Sequence, residues 1–213
     1  MTYKELLYRN SLEAIRRIYE HSKYDEETDL YRINDIINSL NENQFASKEW
    51  LVQKLTPFIP EELENVCILG GWYGLLACMI SQEVPDETRI HSVDIDPTTR
   101  MVGQALLKDI AYVEFKIESL EDWYYGRPKY YDLIINTSCE HMEPEEVRLM
   151  ANYKKEEAIC CFQGNNYHEI QSHINTHNSL DEFADSLGLK EILLKESMPA
   201  ANGEYDRYMV IGK

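Results

Sequence analysis

Basic residues are scarce in this sequence. Its 213 residues include 21 lysines and arginines against 38 aspartates and glutamates, which gives a formal net charge of −17 at pH 7. The basic residues are scattered, and the only adjacent pairs are Arg16-Arg17 and Lys154-Lys155. Such a chain repels the phosphates of DNA and RNA unless its basic groups are concentrated in one patch. The composition therefore disfavours nucleic acid and favours a small molecule, a cationic group or a protein as the substrate.

Long apolar runs and paired cysteines are also missing. The longest apolar run, near residues 68–80, is interrupted by glycines and falls short of a membrane span. The first residues show no secretory signal, so we expect a cytoplasmic protein without a membrane partner. The five cysteines form no CxxC pair, and four of them lie in apolar runs. This pattern is typical of buried, reduced thiols rather than of disulfides or a zinc site.

Residues 1–64 show helical periodicity and no strand pattern, and we predict that they form a helical extension or lid. Apolar residues recur at helical spacing in two stretches, Leu7, Ile15, Ile18 and Tyr19, and then Leu30, Ile33, Ile36, Ile37 and Leu40. Asp29 and Ser47 are predicted to cap the second and third helices, because short polar side chains accept hydrogen bonds from backbone N–H groups. Since function lies in elements grafted onto a fold, this extension is expected to govern substrate choice.

From residue 65 onward, short apolar runs alternate with helical segments. Strands are predicted over residues 65–69, 89–93, 113–117, 131–136, 158–163, 189–197 and 205–212. The runs are solidly apolar, as in Val66-Cys67-Ile68-Leu69, which is typical of parallel strands covered on both faces. The loop 198–204 is too short for a crossover helix, so the last strand should run antiparallel. Residues 65–213 are therefore predicted to form an α/β, Rossmann-like domain with a seven-stranded, mostly parallel sheet.

Two motifs follow the first two predicted strands. Gly70-Gly71-Trp72-Tyr73-Gly74 leads into a helix, where glycines let the backbone approach a ligand and the helix N–H groups face it. Asp94 ends the second strand about 20 residues further on, where an acid accepts hydrogen bonds from ribose hydroxyls. Asp96 and Pro97 are assigned instead to the start of the next helix, as its N-cap and first residue. Either motif alone is weak evidence, and their spacing makes the pair far more specific.

A run of polar residues, 136–141, follows the fourth predicted strand. In open α/β sheets ligands bind at the carboxyl ends of the strands, where this run lies. Glu140 and His141 are therefore candidate catalytic groups that could remove a proton from a substrate. The alternative for both is a hydrogen bond to the start of the next helix.

The segment after the fifth predicted strand carries amides, a phenol and histidines. Gln163, Asn165 and Tyr167 could orient a polar substrate, or the segment could be a simple turn, since Asn and Gly tolerate left-handed conformations. The segment also contains three histidines: His168, His173 and His177. A metal held by the last two, four residues apart on a helix, is a minority interpretation, and we expect no metal.

With these motifs the sequence resembles the class I S-adenosylmethionine-dependent methyltransferases from about residue 60 to residue 213. The resemblance implies S-adenosylmethionine as the cofactor. It places Asp94 at the family's ribose-binding acid and Glu118 at an acid near the adenine amine. The residues that it implies in cofactor binding are Gly70, Gly71, Trp72, Gly74, Asp94, Ile95, Glu118, Ser119 and Asn136.

Two residues depart from the family's pattern. Ile68 stands where the family usually has an acid that helps to hold the methionine part of the cofactor, and Trp72 replaces the middle glycine. Trp72 could close part of the pocket, stack on a ligand or simply pack inward. The family's motif for methylating base amines, an Asn or Asp before Pro-Pro and an aromatic, is absent, and Asn136-Thr137-Ser138 stands in its place.

The sequence thus favours an S-adenosylmethionine-dependent methyltransferase that acts on a small molecule or a protein side chain. Ile68 and Trp72 keep two alternatives open: a non-catalytic cofactor-binding or scaffold protein, and another transferase or a lyase that uses the same cofactor. An RNA methyltransferase is disfavoured by the charge. The oligomeric state is left open, with a homodimer among the alternatives.

Overall fold

Seven strands form one sheet in the computed structural model, which describes residues 2–21, 26–126, 129–152, 154–200 and 203–213. The strands are β1 (Asn65–Leu69), β2 (Arg89–Asp94), β3 (Val113–Ile117), β4 (Leu133–Asn136), β5 (Ile159–Asn165), β6 (Ile192–Pro199) and β7 (Asp206–Gly212). Their order across the sheet is β3-β2-β1-β4-β5-β7-β6. Strands β1 to β5 are parallel, and β7 runs antiparallel to its neighbours β5 and β6. The predicted Rossmann-like fold with an antiparallel last strand is confirmed.

The described residues include eight α-helices, three of which precede the sheet. They are α1 (Tyr3–His21), α2 (Glu26–Ser39), α3 (Glu42–Leu55), α4 (Leu75–Ile80), α5 (Pro97–Leu106), α6 (Leu120–Gly126), α7 (Pro144–Asn152) and α8 (Leu180–Ser186). Helix α1 buries Leu7, Ala14 and Ile18 in the core. Asn10 joins it to the end of α5, because its Nδ2 donates a hydrogen bond to Leu106 O at 2.8 Å. The extension is therefore packed against the sheet domain.

The apolar stripe predicted for α2 is only partly buried. Ile36 and Leu40 lie in the core, whereas Leu30 and Ile37 are exposed. The periodicity marks the buried side of the helix correctly but overestimates its width, because α2 touches the rest of the protein along a narrow line.

Two predicted helix caps are wrong, and one is confirmed. Asn41 caps α3, since its Oδ1 accepts from Gln44 N at 2.9 Å, and Ser47 lies buried inside the helix. Asp29 likewise lies within α2. Helix α3 begins earlier than predicted because its buried face starts at Phe45. Asp96 does cap α5, with its Oδ1 accepting from Thr98 N at 2.9 Å.

The register of the sheet brings three chain exits to one edge. Leu69 pairs with Val93 of β2 on one side and with Asn136 of β4 on the other. The residues that follow these three positions therefore emerge side by side at the carboxyl edge. The glycine turn, Asp94 and the polar run after β4 meet there, as the parallel topology requires.

All five cysteines are free and buried, as predicted, in apolar surroundings that raise the pKa of Cys160 to about 12. No helix among the described residues combines the length and apolarity needed to cross a membrane.

Candidate active site

A cavity of about 840 Å³ opens at the carboxyl edge of the sheet, beneath α3. Its walls include ten of the residues predicted from the sequence to form the site: Gly70, Gly71, Trp72, Asp94, Ile95, Glu118, Ser119, Glu140, His141 and Tyr167. The other four predicted residues, Gly74, Asn136, Gln163 and Asn165, lie behind these walls. The cavity is also lined by His173, which belongs to the histidine-rich segment noted in the sequence, and by residues that no sequence motif indicated: Asn43, Gln44 and Lys48 of α3, Tyr205 and Arg207.

The glycine turn is built on contacts that only glycine allows. Gly71 N donates to Val93 O at 3.0 Å, and a Cβ on Gly71 would lie 2.1 Å from Ser92 Oγ. Gly74 has φ +88° at the N-cap of α4, where a Cβ would press against Leu107 and Phe115. Gly71 thus lets the turn approach β2, and Gly74 lets the chain enter α4.

Trp72 ties the glycine turn to the N-terminal extension. Its φ of 47° is unusual for a residue with a side chain and falls where the family has glycine. Its indole Nε1 donates to Asp35 Oδ2 of α2 at 3.1 Å, and the Tyr73 hydroxyl donates to the same oxygen at 2.7 Å. The departure from the family motif is therefore accompanied by a link between α2 and the cavity wall, of which Trp72 is a part.

Replacing Asp35 with alanine should lower the free energy of unfolding by about 1–2 kcal/mol, because two donors on Trp72 and Tyr73 lose their common acceptor. Denaturant unfolding followed by tryptophan fluorescence measures this change. The neighbouring exposed residue Asn34 provides the control, and Asn34→Ala should leave stability within about 0.5 kcal/mol of the original. Equal stability of the two variants would show that the link contributes nothing.

Asp94 lies at the centre of the turn region. Its Oδ2 accepts from Trp72 N and its Oδ1 from Asp96 N, both at 3.0 Å. Burial raises the pKa of Asp94 above its usual value, although these backbone hydrogen bonds act in the opposite direction. Arg32 of α2 lies 2.5 Å from Asp96 and supplies a positive charge nearby. The acid is held rigidly, with its carboxylate at the cavity wall.

Glu118, Ser119 and Ile95 extend this end of the cavity. Glu118 N donates to Asp94 O at 3.1 Å, which sets the loop after β3 beside the loop after β2. Ser119 Oγ accepts from Asp122 N at 3.1 Å at the start of α6. Ile95 leaves 74% of its surface exposed, which is unusual for an isoleucine.

Glu140 is the buried charge at the opposite end. Only 3% of its surface is exposed. Its Oε1 accepts from Asn165 Nδ2 at 2.7 Å and lies 3.5 Å from a guanidinium nitrogen of Arg207. Its Oε2 is buried and has no hydrogen-bond partner among the described residues. A buried carboxylate oxygen without a partner is costly, so this atom marks a place for a ligand.

Arg207 is a residue of the cavity that the sequence motifs did not reveal. It lies on β7, next to Tyr208 and Met209, and its side chain is only 12% exposed. Burial opposes its charge, yet the adjacent Glu140 carboxylate holds the pKa of Arg207 above its ordinary value. A charge inside a predicted buried strand was the available signal, because such a charge needs a partner.

Lys48 of α3 enters the same end of the cavity, where its Nζ donates to Gln44. Burial, together with the positive charge of Arg207, lowers the pKa of Lys48 to about 7, and Glu140 acts in the opposite direction.

The three predicted substrate residues differ in their position and in their hydrogen-bond partners. Tyr167 lines the cavity and stacks on Tyr205 with ring centroids 4.9 Å apart. Gln163 is fully buried, and its Nε2 donates to Ser47 O at 3.4 Å, which joins α3 to β5. Asn165 holds Glu140 with its Nδ2 and accepts from Tyr167 N with its Oδ1 at 3.0 Å. In this geometry Tyr167 reaches the cavity, whereas the two amides position neighbouring groups.

Asn136 also lies behind the wall. Its Oδ1 accepts from Ser138 N at 2.8 Å, and its Nδ2 contacts the sulfurs of Met142 and Met150 at 3.0 and 3.3 Å. It shapes the turn that carries Glu140. Its direct contact with a cofactor stays a prediction.

The histidines occupy a loop and not the helix that their spacing suggested. His177 faces Phe183, with ring centroids 5.4 Å apart, and His168 is exposed. His173 instead approaches His141, with ring centroids 4.7 Å apart and the rings nearly perpendicular. The pairing of His173 with His177 is therefore replaced by a pairing across two loops.

Comparison with known proteins gives a fold and no close relative. No family model and no curated protein matches the chain. Solved structures do match. One is the CurJ carbon methyltransferase, which aligns with a TM-score of 0.66 and 9% sequence identity, and the alignment covers 96% of this chain and 67% of that one. The chain has the class I methyltransferase fold. A geranyl diphosphate methyltransferase, in complex with GPP and sinefungin, matches at TM-score 0.62 and 10% identity, covering 80% and 77%.

A third structure was solved with the cofactor itself. It is fibrillarin from Aeropyrum pernix with natively bound S-adenosyl-L-methionine, at TM-score 0.52 and 14% identity, covering 73% of this chain and 69% of that one. At such identities the likeness establishes the fold, and function has to be argued from the site.

Proposed function

We propose that the protein transfers a methyl group from S-adenosylmethionine to a small polar acceptor. The observation that carries the proposal is one shared cavity, which has Asp94 and Glu118 at one end and Glu140 and His141 at the other. Methyl transfer is an in-line displacement, so cofactor and acceptor must be aligned within one enclosed space. The carboxyl edge of the sheet, where this cavity lies, is the usual ligand site of such folds.

The nucleoside end would be formed by Asp94, Ile95 and Glu118. The ribose hydroxyls would donate to Asp94, and the adenine amine would donate to Glu118. The adenine ring would cover Ile95, whose exposed side chain lines the cavity. Burial of such a side chain by a planar base contributes apolar binding energy.

The methionine end would be held differently from the family's usual pattern. Ile68 stands beside the cavity where the family has an acid, and its side chain is fully buried in the core. Asn43 and Gln44 of α3 line the same cavity and supply polar amides. The N-terminal extension would thus contribute directly to cofactor binding.

The acceptor end is lined by charged and polar groups of both signs, which fits a polar acceptor. Glu140, His141, Arg207 and Lys48 all line it. His141 Nδ1 lies 3.1 Å from Ser172 O and must donate to that carbonyl, so the lone pair of the neutral ring is on Nε2. Glu140 Oε2 or His141 Nε2 could take the acceptor's proton as the methyl group arrives.

Calorimetry with S-adenosylmethionine and S-adenosylhomocysteine tests the proposal, and the Ile95→Ser variant tests whether the adenine ring covers Ile95. Both ligands should bind, and Ile95→Ser should weaken them about fivefold, because roughly 1 kcal/mol of apolar burial is lost. Ile192→Ser, at an exposed isoleucine on β6 and outside the cavity, is the matched control and should leave both affinities unchanged.

Two outcomes would contradict the proposal in different ways. Absence of binding for both ligands at near-millimolar concentration would remove S-adenosylmethionine as the cofactor. Binding without any S-adenosylhomocysteine formed in the presence of pooled small metabolites would favour the scaffold alternative.

A further inference from the structure

Three side chains with metal-binding chemistry meet at the acceptor end of the cavity. Glu140, His141 and His173 each offer a ligand atom, and these atoms all lie within 4.8 Å of one another. Glu140 and His141 belong to the short turn after β4, and His173 belongs to the loop after β5. All three line the cavity.

The two loops that carry these residues are fastened together. Ile174 N and Asn175 N both donate to Glu140 O, at 2.9 and 3.1 Å, and Asn175 Nδ2 donates to Cys139 O at 3.1 Å. The cluster is therefore held by hydrogen bonds to the backbone of the turn after β4 and does not depend on side-chain packing alone. Such preorganisation favours binding, because less ordering remains to be done when a ligand arrives.

Both imidazoles are oriented as metal ligands usually are. His141 Nδ1 lies 3.1 Å from Ser172 O, and His173 Nδ1 lies 2.8 Å from Tyr167 O. Since a carbonyl oxygen only accepts, both Nδ1 atoms carry hydrogen, and Nε2 is the nitrogen with the lone pair. A backbone carbonyl that fixes the ring in this way is the common support of a metal-bound histidine.

Glu140 completes the set with an oxygen that lacks a partner. Its Oε1 is engaged by Asn165 and Arg207, whereas its Oε2 is buried without a hydrogen bond among the described residues. Arg207 stands on the Oε1 side and so does not occupy the ligand position. A cation at Oε2 would satisfy the atom that the protein leaves unsatisfied.

We propose that Glu140 Oε2, His141 Nε2 and His173 Nε2 bind one divalent first-row transition ion. Two imidazoles and one carboxylate suit Zn²⁺, Mn²⁺, Fe²⁺ or Co²⁺, and three protein ligands leave coordination positions open. Ligand atoms about 2.1 Å from an ion lie roughly 3–4 Å apart, so the side chains would close in slightly on binding.

The ion would have a defined role in the proposed reaction, and this role rests on the proposed function. A divalent ion lowers the pKa of a hydroxyl or water that it binds, so it would activate an oxygen-bearing acceptor for attack on the methyl group. The acceptor hydroxyl would release its proton to solvent water, its oxygen would form the C–O bond to the methyl carbon, and the C–S bond would break to leave S-adenosylhomocysteine. Glu140 and His141 would then act by holding the ion and not by taking the proton themselves.

Titration of chelator-treated, full-length protein with Co²⁺ and with Zn²⁺ tests the site. One ion should bind per chain, with visible Co²⁺ absorption bands, in the absence of any cofactor or acceptor. His173→Ala and Glu140→Gln should each weaken binding at least tenfold. His168→Ala, at an exposed histidine of the same loop, is the matched control and should bind as the original does.

Saturable binding that His168→Ala weakens as much as His173→Ala would overturn the site, as would no saturable binding. Circular dichroism establishes that each variant is folded. Calorimetry of the metal-free protein with S-adenosylmethionine separates the two proposals. If the cofactor binds but no metal does, only the proposed metal site is rejected. If a metal binds but the cofactor does not, only the proposed methyltransferase function is rejected.

Discussion

Gly74→Ala is expected to lower the free energy of unfolding by about 3 kcal/mol. The residue has φ +88°, and a Cβ there would lie 2.6 Å from Leu107 and 2.7 Å from Phe115, both in the core. A left-handed conformation costs a residue with a side chain about 1–2 kcal/mol, and overpacking of a core costs about 1–3 kcal/mol more. Equilibrium denaturation in urea measures the change.

A second glycine separates the cost of the left-handed backbone from the cost of the clash. Gly203 has φ +70°, but no atom lies within 4 Å of the position that a Cβ would take, so Gly203→Ala carries the backbone cost without the clash. We expect Gly203→Ala to cost about 1 kcal/mol. If Gly74→Ala cost no more than this, Leu107 and Phe115 would have moved aside, and the tight entry into α4 would not be a requirement of the fold.

Asp94→Ala should weaken binding of S-adenosylmethionine about a hundredfold, on the proposed function. Two hydroxyl donors would lose a charged acceptor, and hydrogen bonds to charged groups contribute about 1.5–3 kcal/mol each. The expected loss is therefore about 3 kcal/mol or more, which calorimetry resolves directly. Because burial raises the pKa of Asp94, its carboxylate takes up a proton at a higher pH than an ordinary aspartate does. As the pH is lowered, the unmodified protein should therefore begin to lose affinity for S-adenosylmethionine at a higher pH than it would with an aspartate of ordinary pKa.

The control for Asp94 is the acid two residues away. Asp96 caps α5 and pairs with Arg32 but does not line the cavity. Asp96→Ala should therefore reduce stability while leaving the cofactor affinity nearly unchanged. Equal losses of affinity in the two variants would mean that the turn, and not a ribose contact, had been disturbed.

Local signals were sufficient for most of the fold. The solid apolar runs of β1 and β4 identified strands buried on both faces, and a short loop before β7 required an antiparallel return. The helix caps were less predictable. Asn41 and Ser47 are both good capping residues, and the choice between them depended on where Phe45 became buried.

Part of the site could also be predicted from local signals in the sequence. Gly71 and Glu140 follow strands and Asp94 ends one, so their common edge could be foreseen from topology alone. The residues that face them across the cavity could not be predicted from topology. Trp72 shows a departure from a motif in the sequence, but only the structure shows that Asp35, 37 positions earlier, accepts its indole hydrogen.

By itself the sequence determined the alternation of strands and helices, the glycine turn and the acid after β2, because each depends on neighbours along the chain. Only the tertiary structure decided which distant side chains meet. It brought Arg207 to Glu140 and His173 to His141, contacts that span 67 and 32 positions. Such contacts depend on the closure of whole loops and strands, which no local pattern along the chain specifies. The acceptor end of the cavity is therefore a product of the fold.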